Sequence, residues 1–327
     1  MSYTQAISWN AQSYDNGKAV SAVSTGFKAL DKNQPVLPGL YILAGMPGIG
    51  KTTFVHQMAE QMAVNGQTIL FFSAIEKGSD LYAKSLAREM FNRYRNENKI
   101  ELFFSPSQIR YEAKAKDCPE LATARQAVDK NLDRRLVVSD YAINQTVEAI
   151  TSSINGYMQS HYVKPVVVID FLQVIEHSTD KSLRTRDDAV NYIINCLKQF
   201  QLKNDLVIFL ISGLMNQSYH MPATLDGVET ADALKYAADV VWVMQDWIIA
   251  HGEFNKQTET HERKNRLMLE RGNAMQEIEL ICLKNRHGKD GYTVDFEFHP
   301  ASSVFYTAEI PFEKQHPRAY PTRQNRK

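Results

Sequence analysis

Short β-branched apolar runs alternate along this chain with longer stretches in which apolar and polar residues recur at helical spacing. The apolar runs read as strands at Leu40–Ala44, Thr68–Ser73, Arg135–Val138, Val166–Asp170, Leu206–Ser212 and Val240–Met244. Between them, Thr52–Val64, Asp80–Tyr94, Thr146–His161 and Asp187–Leu202 carry the helical period. Near-continuous apolar strands separated by amphipathic helices predict an α/β fold of βαβ units. Its central sheet should be mostly parallel, with helices on both faces. Right-handed crossovers then bring the strand C-termini and their loops to one edge of the sheet, where such sheets bind ligands.

After Met244 the pattern changes. Gln245–Gln276 is charged, containing HERKNRLMLERGN, and predicts a partly helical, solvated surface excursion. Glu277–Asn285 and Tyr292–Phe298 alternate apolar and polar residues around a glycine-bearing turn, Arg286 to Gly291. That is the pattern of a β-hairpin, so a C-terminal antiparallel extension is expected. The chain divides on this reading into a linker segment at 1–22, one α/β domain at 23–310 and a basic, disordered tail at 311–327.

Composition narrows the classes. The apolar fraction of 44% supports a sizeable core. Lys+Arg and Asp+Glu both total 37, so the basic excess of a protein that coats nucleic acid is missing, and any such contact must come from local clusters. Cys118, Cys196 and Cys282 show no metal-type spacing and read as buried small residues of a reducing compartment. The N-terminus lacks a secretory pattern, and the longest apolar runs are strand-sized. A soluble, cytoplasmic protein that does not touch membranes is expected.

Gly45-Met46-Pro47-Gly48-Ile49-Gly50-Lys51-Thr52 fits G-x-x-x-x-G-K-[ST] between a strand and a helix. In such a loop successive backbone N–H groups turn inward onto phosphate oxygens. Lys51 supplies a charge to the β- and γ-phosphates, and the Thr52 hydroxyl ligates Mg²⁺. The ATP-binding set is therefore expected to be Gly45, Pro47, Gly48, Ile49, Gly50, Lys51, Thr52 and Thr53. Asp170 ends an apolar strand and is expected beside this loop, holding the magnesium. Glu76, just past the end of the strand that follows the loop's helix, is either the general base for the attacking water or a solvated strand-end carboxylate.

Together these parts resemble the DnaB-type replicative helicases within the RecA-like P-loop group, from about Val23 to about Phe305. Val23-Ser24-Thr25-Gly26-Phe27-Lys28-Ala29-Leu30-Asp31 is similar to the family's lead-in segment, and Ile169-Asp170-Phe171-Leu172-Gln173 to its I-D-Y-L-Q strand end. The family's catalytic Glu lies in F-S-L-E. Phe72-Ser73-Ala74-Ile75-Glu76 is one residue longer, yet Glu76 keeps the family's separation from Lys51, so the resemblance implies that Glu76 is the base. Lys284-Asn285-Arg286-His287-Gly288 resembles the family's K-Q-R-N-G. It implies that Lys284 and Arg286 reach a neighbouring subunit's γ-phosphate, in a head-to-tail ring that is a hexamer in the family.

Several departures accompany the resemblance. Gly213 stands where the family has a γ-phosphate-sensing Gln, so that role is missing or moved to Asn216 or Gln217. In Val228–Ala233, Glu229 replaces an Arg that grips the DNA backbone, and a carboxylate facing phosphate is repulsive. The family's N-terminal domain is expected to be absent, leaving Trp9 and Tyr14 either to pack on a neighbour or to lie in a loose terminus. The excursion's Arg263, Lys264, Arg266 and Arg271 read mainly as solvated surface. Lys181, Arg184 and Arg186 follow Asp170 in a segment that faces the channel in the family and are candidates for contact with single-stranded DNA. Phe103, Phe104 and Tyr111 read as core rather than as stacking platforms. Two functions follow. One is an ATP-driven helicase that translocates on single-stranded DNA in replication, with a replication partner protein. The other is an ATPase switch or loader acting on a protein partner, which Gly213, Glu229 and the neutral charge favour.

Overall fold

A computed structural model describes residues 22–95, 103–112, 118–140, 145–176, 185–229, 231–252 and 259–309. All six predicted runs form strands: β1 Gly39–Gly45, β2 Ile69–Ser73, β3 Leu136–Asp140, β4 Val166–Asp170, β5 Val207–Ser212 and β6 Val240–Asp246. Strands β7 Gln276–Asn285, β8 Thr293–His299 and β9 Val304–Thr307 follow. One nine-stranded sheet results, in the order β3-β2-β4-β5-β1-β6-β7-β8-β9. Pairing is parallel from β3 to β6 and antiparallel beyond.

The helices are α1 Lys28–Asn33, α2 Lys51–Val64, α3 Gly78–Tyr94, α4 Pro106–Tyr111, α5 Pro119–Leu132, α6 Val147–His161, α7 Arg186–Asn204, α8 Ala231–Ala237, α9 Trp247–His251 and α10 Glu259–Arg271. The chain moves one way along the sheet from β1 to β2 to β3, then returns through β4, β5 and β6. Right-handed crossovers therefore place α2, α3 and α5 on one face and α6, α7 and α8 on the other, and each group packs together. Strands β1, β2, β4, β5 and β6 are buried at every position, which is why their sequences are continuously apolar. In β8, packed on one face only, burial alternates.

Because β5 and β4 lie between β1 and β2, the C-terminal ends of these four strands share one stretch of the sheet edge. The extension beyond β6 carries three strands rather than a simple hairpin. Its last strand, β9, was too short to read from the pattern. It is tied to α2 by the Gln57 side chain, which accepts from the Phe305 N–H and donates to the Phe305 carbonyl, both at 2.8 Å. Phe298 and Phe305 stack with ring centroids 4.1 Å apart directly behind the phosphate-type loop.

Three expectations change. Arg263 and Leu267 of α10 are buried, and the Arg263 guanidinium donates to the Ile249 carbonyl, so the excursion is packed along one side, while Lys264 and Arg266 are exposed as expected. Phe103 and Phe104 do pack against a small core of α3, α4 and α5, but Tyr111 is 74% exposed and lies outside it. Among the cysteines only Cys282 is fully buried. The N-terminal segment up to residue 21, with Trp9 and Tyr14, and the tail from 310 lie outside the described residues. Among the described residues, no helix is long and apolar enough to cross a membrane.

Candidate nucleotide site

Strand β1 delivers Gly45 to the sheet edge, and α2 begins six residues later at Lys51. The turn between them depends on Gly48 and Gly50, whose φ values of 79° and 93° are disfavoured for any residue with a Cβ. At Gly50 a side chain also has no room, since an added Cβ would lie 2.9 Å from the Phe305 ring. Ile49 is buried beneath the loop as its anchor. The Lys51 amine arches back over the loop and donates to the carbonyls of Gly45 at 2.8 Å and Met46 at 3.0 Å. Burial lowers its pKa to about 8; Asp170 opposes this and Arg271 adds to it.

Asp170 ends β4 in register with Ser73 of β2 and is fully buried. Burial raises its pKa to about 6; Glu76 adds to this, while the Thr52 hydroxyl, Lys51 and Lys84 oppose it. Its Oδ2 is buried without a hydrogen-bond partner. An orphaned carboxylate oxygen next to a threonine hydroxyl is an oxygen donor set that suits a hard divalent cation such as Mg²⁺. Glu76 sits in the turn between β2 and α3, its carbonyl accepting from the Ser73 hydroxyl at 2.6 Å. Its Oε1 is 2.6 Å from the Lys84 amine, and its Oε2 is buried without a partner. Glu76 is thus a half-buried, ion-paired carboxylate at the strand end. Lys51, Thr52, Thr53, Glu76, Lys84 and Asp170 line one cavity of about 740 Å³.

The tip of β5 supplies the remaining wall through Gly213. Glu229 does not lie apart from the cleft on a separate DNA-facing loop, but lines this same cavity. The amide of Gln173 donates to Oε2 of Glu229 and to the Ser212 hydroxyl, each at 3.0 Å. Asn216 and Gln217, the expected replacements for the sensing amide, do not line the cavity, whereas Tyr219 does.

Lys284 and Arg286 are not brought to this cavity. They stand at the far end of β7 and its turn, where Lys284 donates to the Lys235 carbonyl and Arg286 to the Tyr236 carbonyl at the end of α8. Arg286 also pairs with Asp239 at 3.3 Å, and Asp239 in turn binds Lys198 at 2.5 Å and the Leu40 N–H at 2.7 Å. Burial, then Arg286, lowers the Lys284 pKa to about 8. Lys181 and Arg184 lie outside the described residues; Arg186 opens α7, with its side chain outside them.

Three residues at the site carried no signal that pattern reading could use. Lys84 sits on the cavity side of an ordinary amphipathic helix. Gln173 closes the Ile169–Gln173 segment, where the spacing points to Asp170 alone. Arg271, read as solvated, donates to the Pro47 carbonyl at 3.0 Å and lies against Gly48. Its partner is remote in sequence, so no local pattern marks it.

Residues 22–307 match the family described as DnaB-like helicase C terminal domain. A probable replicative DNA helicase of Trieres chinensis is 24% identical over 301 residues, covering 90% of this chain and 59% of that protein. The chain thus spans little more than half the length of this relative. Among solved structures, an ATPase domain superimposes with a TM-score of 0.71 at 17% identity, over 94% of this chain and 99% of the other. A DnaB-like replicative helicase, solved with its interactions with primase, gives 0.70 at 18% identity, over 94% and 67% of the two chains. A KaiC-like protein of Pyrococcus horikoshii OT3 gives 0.53 at 15%, over 89% and 100%. At these identities the structural likenesses establish the RecA-like fold.

Proposed function

Since this chain belongs to the DnaB-like helicase C-terminal domain family, we propose that it is the ATP-hydrolysing motor of a replicative DNA helicase, translocating on single-stranded DNA. One observation carries the reading: two carboxylates, the buried Asp170 and the half-buried Glu76, converge with Lys51 and Thr52 in one cavity behind a phosphate-binding turn.

The chain's own residues divide the work. Backbone N–H groups of the turn 45–52 and the Lys51 amine bind the phosphates. Thr52 and Asp170 hold the magnesium, which when bound neutralises charge on the phosphate oxygens. Glu76 orients the attacking water and takes its proton, and Lys84 fixes the carboxylate for that task. Arg286 and Lys284 serve a neighbour, because they stand away from their own cleft on an outward turn. A finger used in trans needs a head-to-tail interface, which closes as a ring, here a hexamer. Lys181, Arg184 and Arg186 are assigned to the DNA backbone in the channel. A replication protein, of the kind that the primase-bound relative contacts, is the expected partner. The setting is the cytoplasm.

The test is ATP turnover with and without single-stranded DNA at low and moderate salt. Salt-sensitive stimulation is expected, since phosphate contacts release counterions. Turnover indifferent to DNA would replace the motor by a switch or loader acting on protein.

A further inference from the structure

Strand β5 lies between β1, which ends in the phosphate-binding turn, and β4, which ends in Asp170. Whatever stands at the tip of β5 therefore faces the space between Lys51 and Asp170, where the last phosphate of a nucleotide must sit. The residue at that tip, Gly213, has no side chain, and its place is filled from elsewhere. A Cβ built on Gly213 would lie 2.8 Å from Oε2 of Glu229. The Glu229 N–H donates to the Gly213 carbonyl at 3.0 Å, and Leu214 bridges to Val228, so the two segments are fastened side by side. Gln173 holds the carboxylate in position. The missing side chain and the unexpected carboxylate are thus one feature: the glycine makes the notch that the glutamate occupies.

We propose that Glu229 is the residue by which this cleft distinguishes a nucleoside triphosphate from a diphosphate, an inference that rests on the nucleotide-site reading above. A fixed negative charge facing the terminal phosphate opposes it, while the two inner phosphates, held by the turn at 45–52, are farther from it. Binding of the triphosphate displaces Glu229 from the notch at Gly213. The displacement reaches α8, which starts two residues later and whose last carbonyls hold Lys284 and Arg286. Glu229 acts on the bound nucleotide by position and charge and exchanges no proton with it.

The experiment compares binding of MgADP and of a non-hydrolysable magnesium triphosphate analogue to the full chain, in wild type, Glu229→Gln, Gly213→Ala and the double variant. Glu229→Gln keeps the shape and the hydrogen bond from Gln173 but removes the charge. It should raise the triphosphate-to-diphosphate affinity ratio by about tenfold. Gly213→Ala expels the same carboxylate by crowding and should shift the ratio in the same direction, with no further gain in the double variant. A purely structural role would move both affinities together and leave the ratio unchanged. A ratio within about twofold of wild type in both single variants overturns the proposal alone. Failure of the wild type to bind either nucleotide overturns the nucleotide-site reading and this inference with it.

Discussion

The Lys84 amine lies 2.6 Å from Oε1 of Glu76 and 3.3 Å from the Thr53 hydroxyl, joining the proposed base to the first turn of the phosphate-binding helix. A carboxylate on a turn has many rotamers, and a two-ended lysine selects one of them. Glu76→Gln should leave nucleotide affinity within a few-fold while lowering kcat by about 10²–10⁴, the range for loss of a general base. Lys84→Met should lower kcat by about tenfold through misplacement of Glu76, again with little change in affinity. Single-turnover hydrolysis together with nucleotide titration separates the two effects. Equal losses in affinity and in kcat for both variants would place this pair in binding instead.

Arg286 rests on Asp239 and the end of α8, away from the cavity of its own chain. Arg286→Ala should therefore bind nucleotide normally and lose about 10³–10⁵ in turnover. Mixed with Lys51→Ala, which should fail to bind nucleotide, it should regain part of that turnover. In mixed assemblies some intact clefts receive an intact arginine from a neighbour. Absence of rescue at every mixing ratio would show that the arginine does not act across a subunit boundary.

The sheet and the phosphate turn were legible because each depends on local spacing. Buried parallel strands must be apolar throughout, and the turn needs its glycines, lysine and threonine at fixed offsets. Asp170 was legible for the same reason, as the first polar residue after a buried run. The wall opposite was not. Whether Glu229 faces DNA or nucleotide depends on the pairing of residues 214 and 228, and pairing across a loop leaves no periodicity. Arg271 reaches Pro47 across most of the domain, so a charged helix looked solvated when two of its arginines were committed. Strand β9, four residues long, carries too little alternation to separate it from a turn.

Arg271 also bears on pH dependence. Lys51 must be charged to hold phosphate, and burial has lowered its pKa to about 8, so affinity should fall as pH rises through that value. Asp170 must be ionised to hold the metal, and burial has raised its pKa to about 6, so affinity should also fall as pH drops through that value. Binding of a magnesium nucleotide to the free protein should thus be greatest between these limits. Arg271→Ala removes a cation that depresses Lys51, so the alkaline limb should move upward even as overall affinity declines. Calorimetric titration across pH measures both. An alkaline limb that stays in place would separate Arg271 from Lys51.

His56 lies on α2, fully buried and edge-on to Phe71. Burial lowers its pKa to about 4; Glu60 opposes this, and Arg88 and Lys84 add to it. The unfolded chain takes up a proton near the ordinary histidine value, whereas the folded chain does so only near 4. Between these values the unfolded state binds more protons, so stability is full above about pH 6.5 and declines as pH falls toward 4. The loss from this one group is about 3 kcal/mol at the lower end. Asp170 titrates over part of the same range, so the informative quantity is the difference in slope between wild type and His56→Leu. The variant should be less stable at neutral pH, because it loses the contact with Phe71, yet flatter between pH 6.5 and 4.5 in denaturant midpoint. Parallel slopes in the two proteins would mean that His56 already carries its proton in the fold, paired with Glu60.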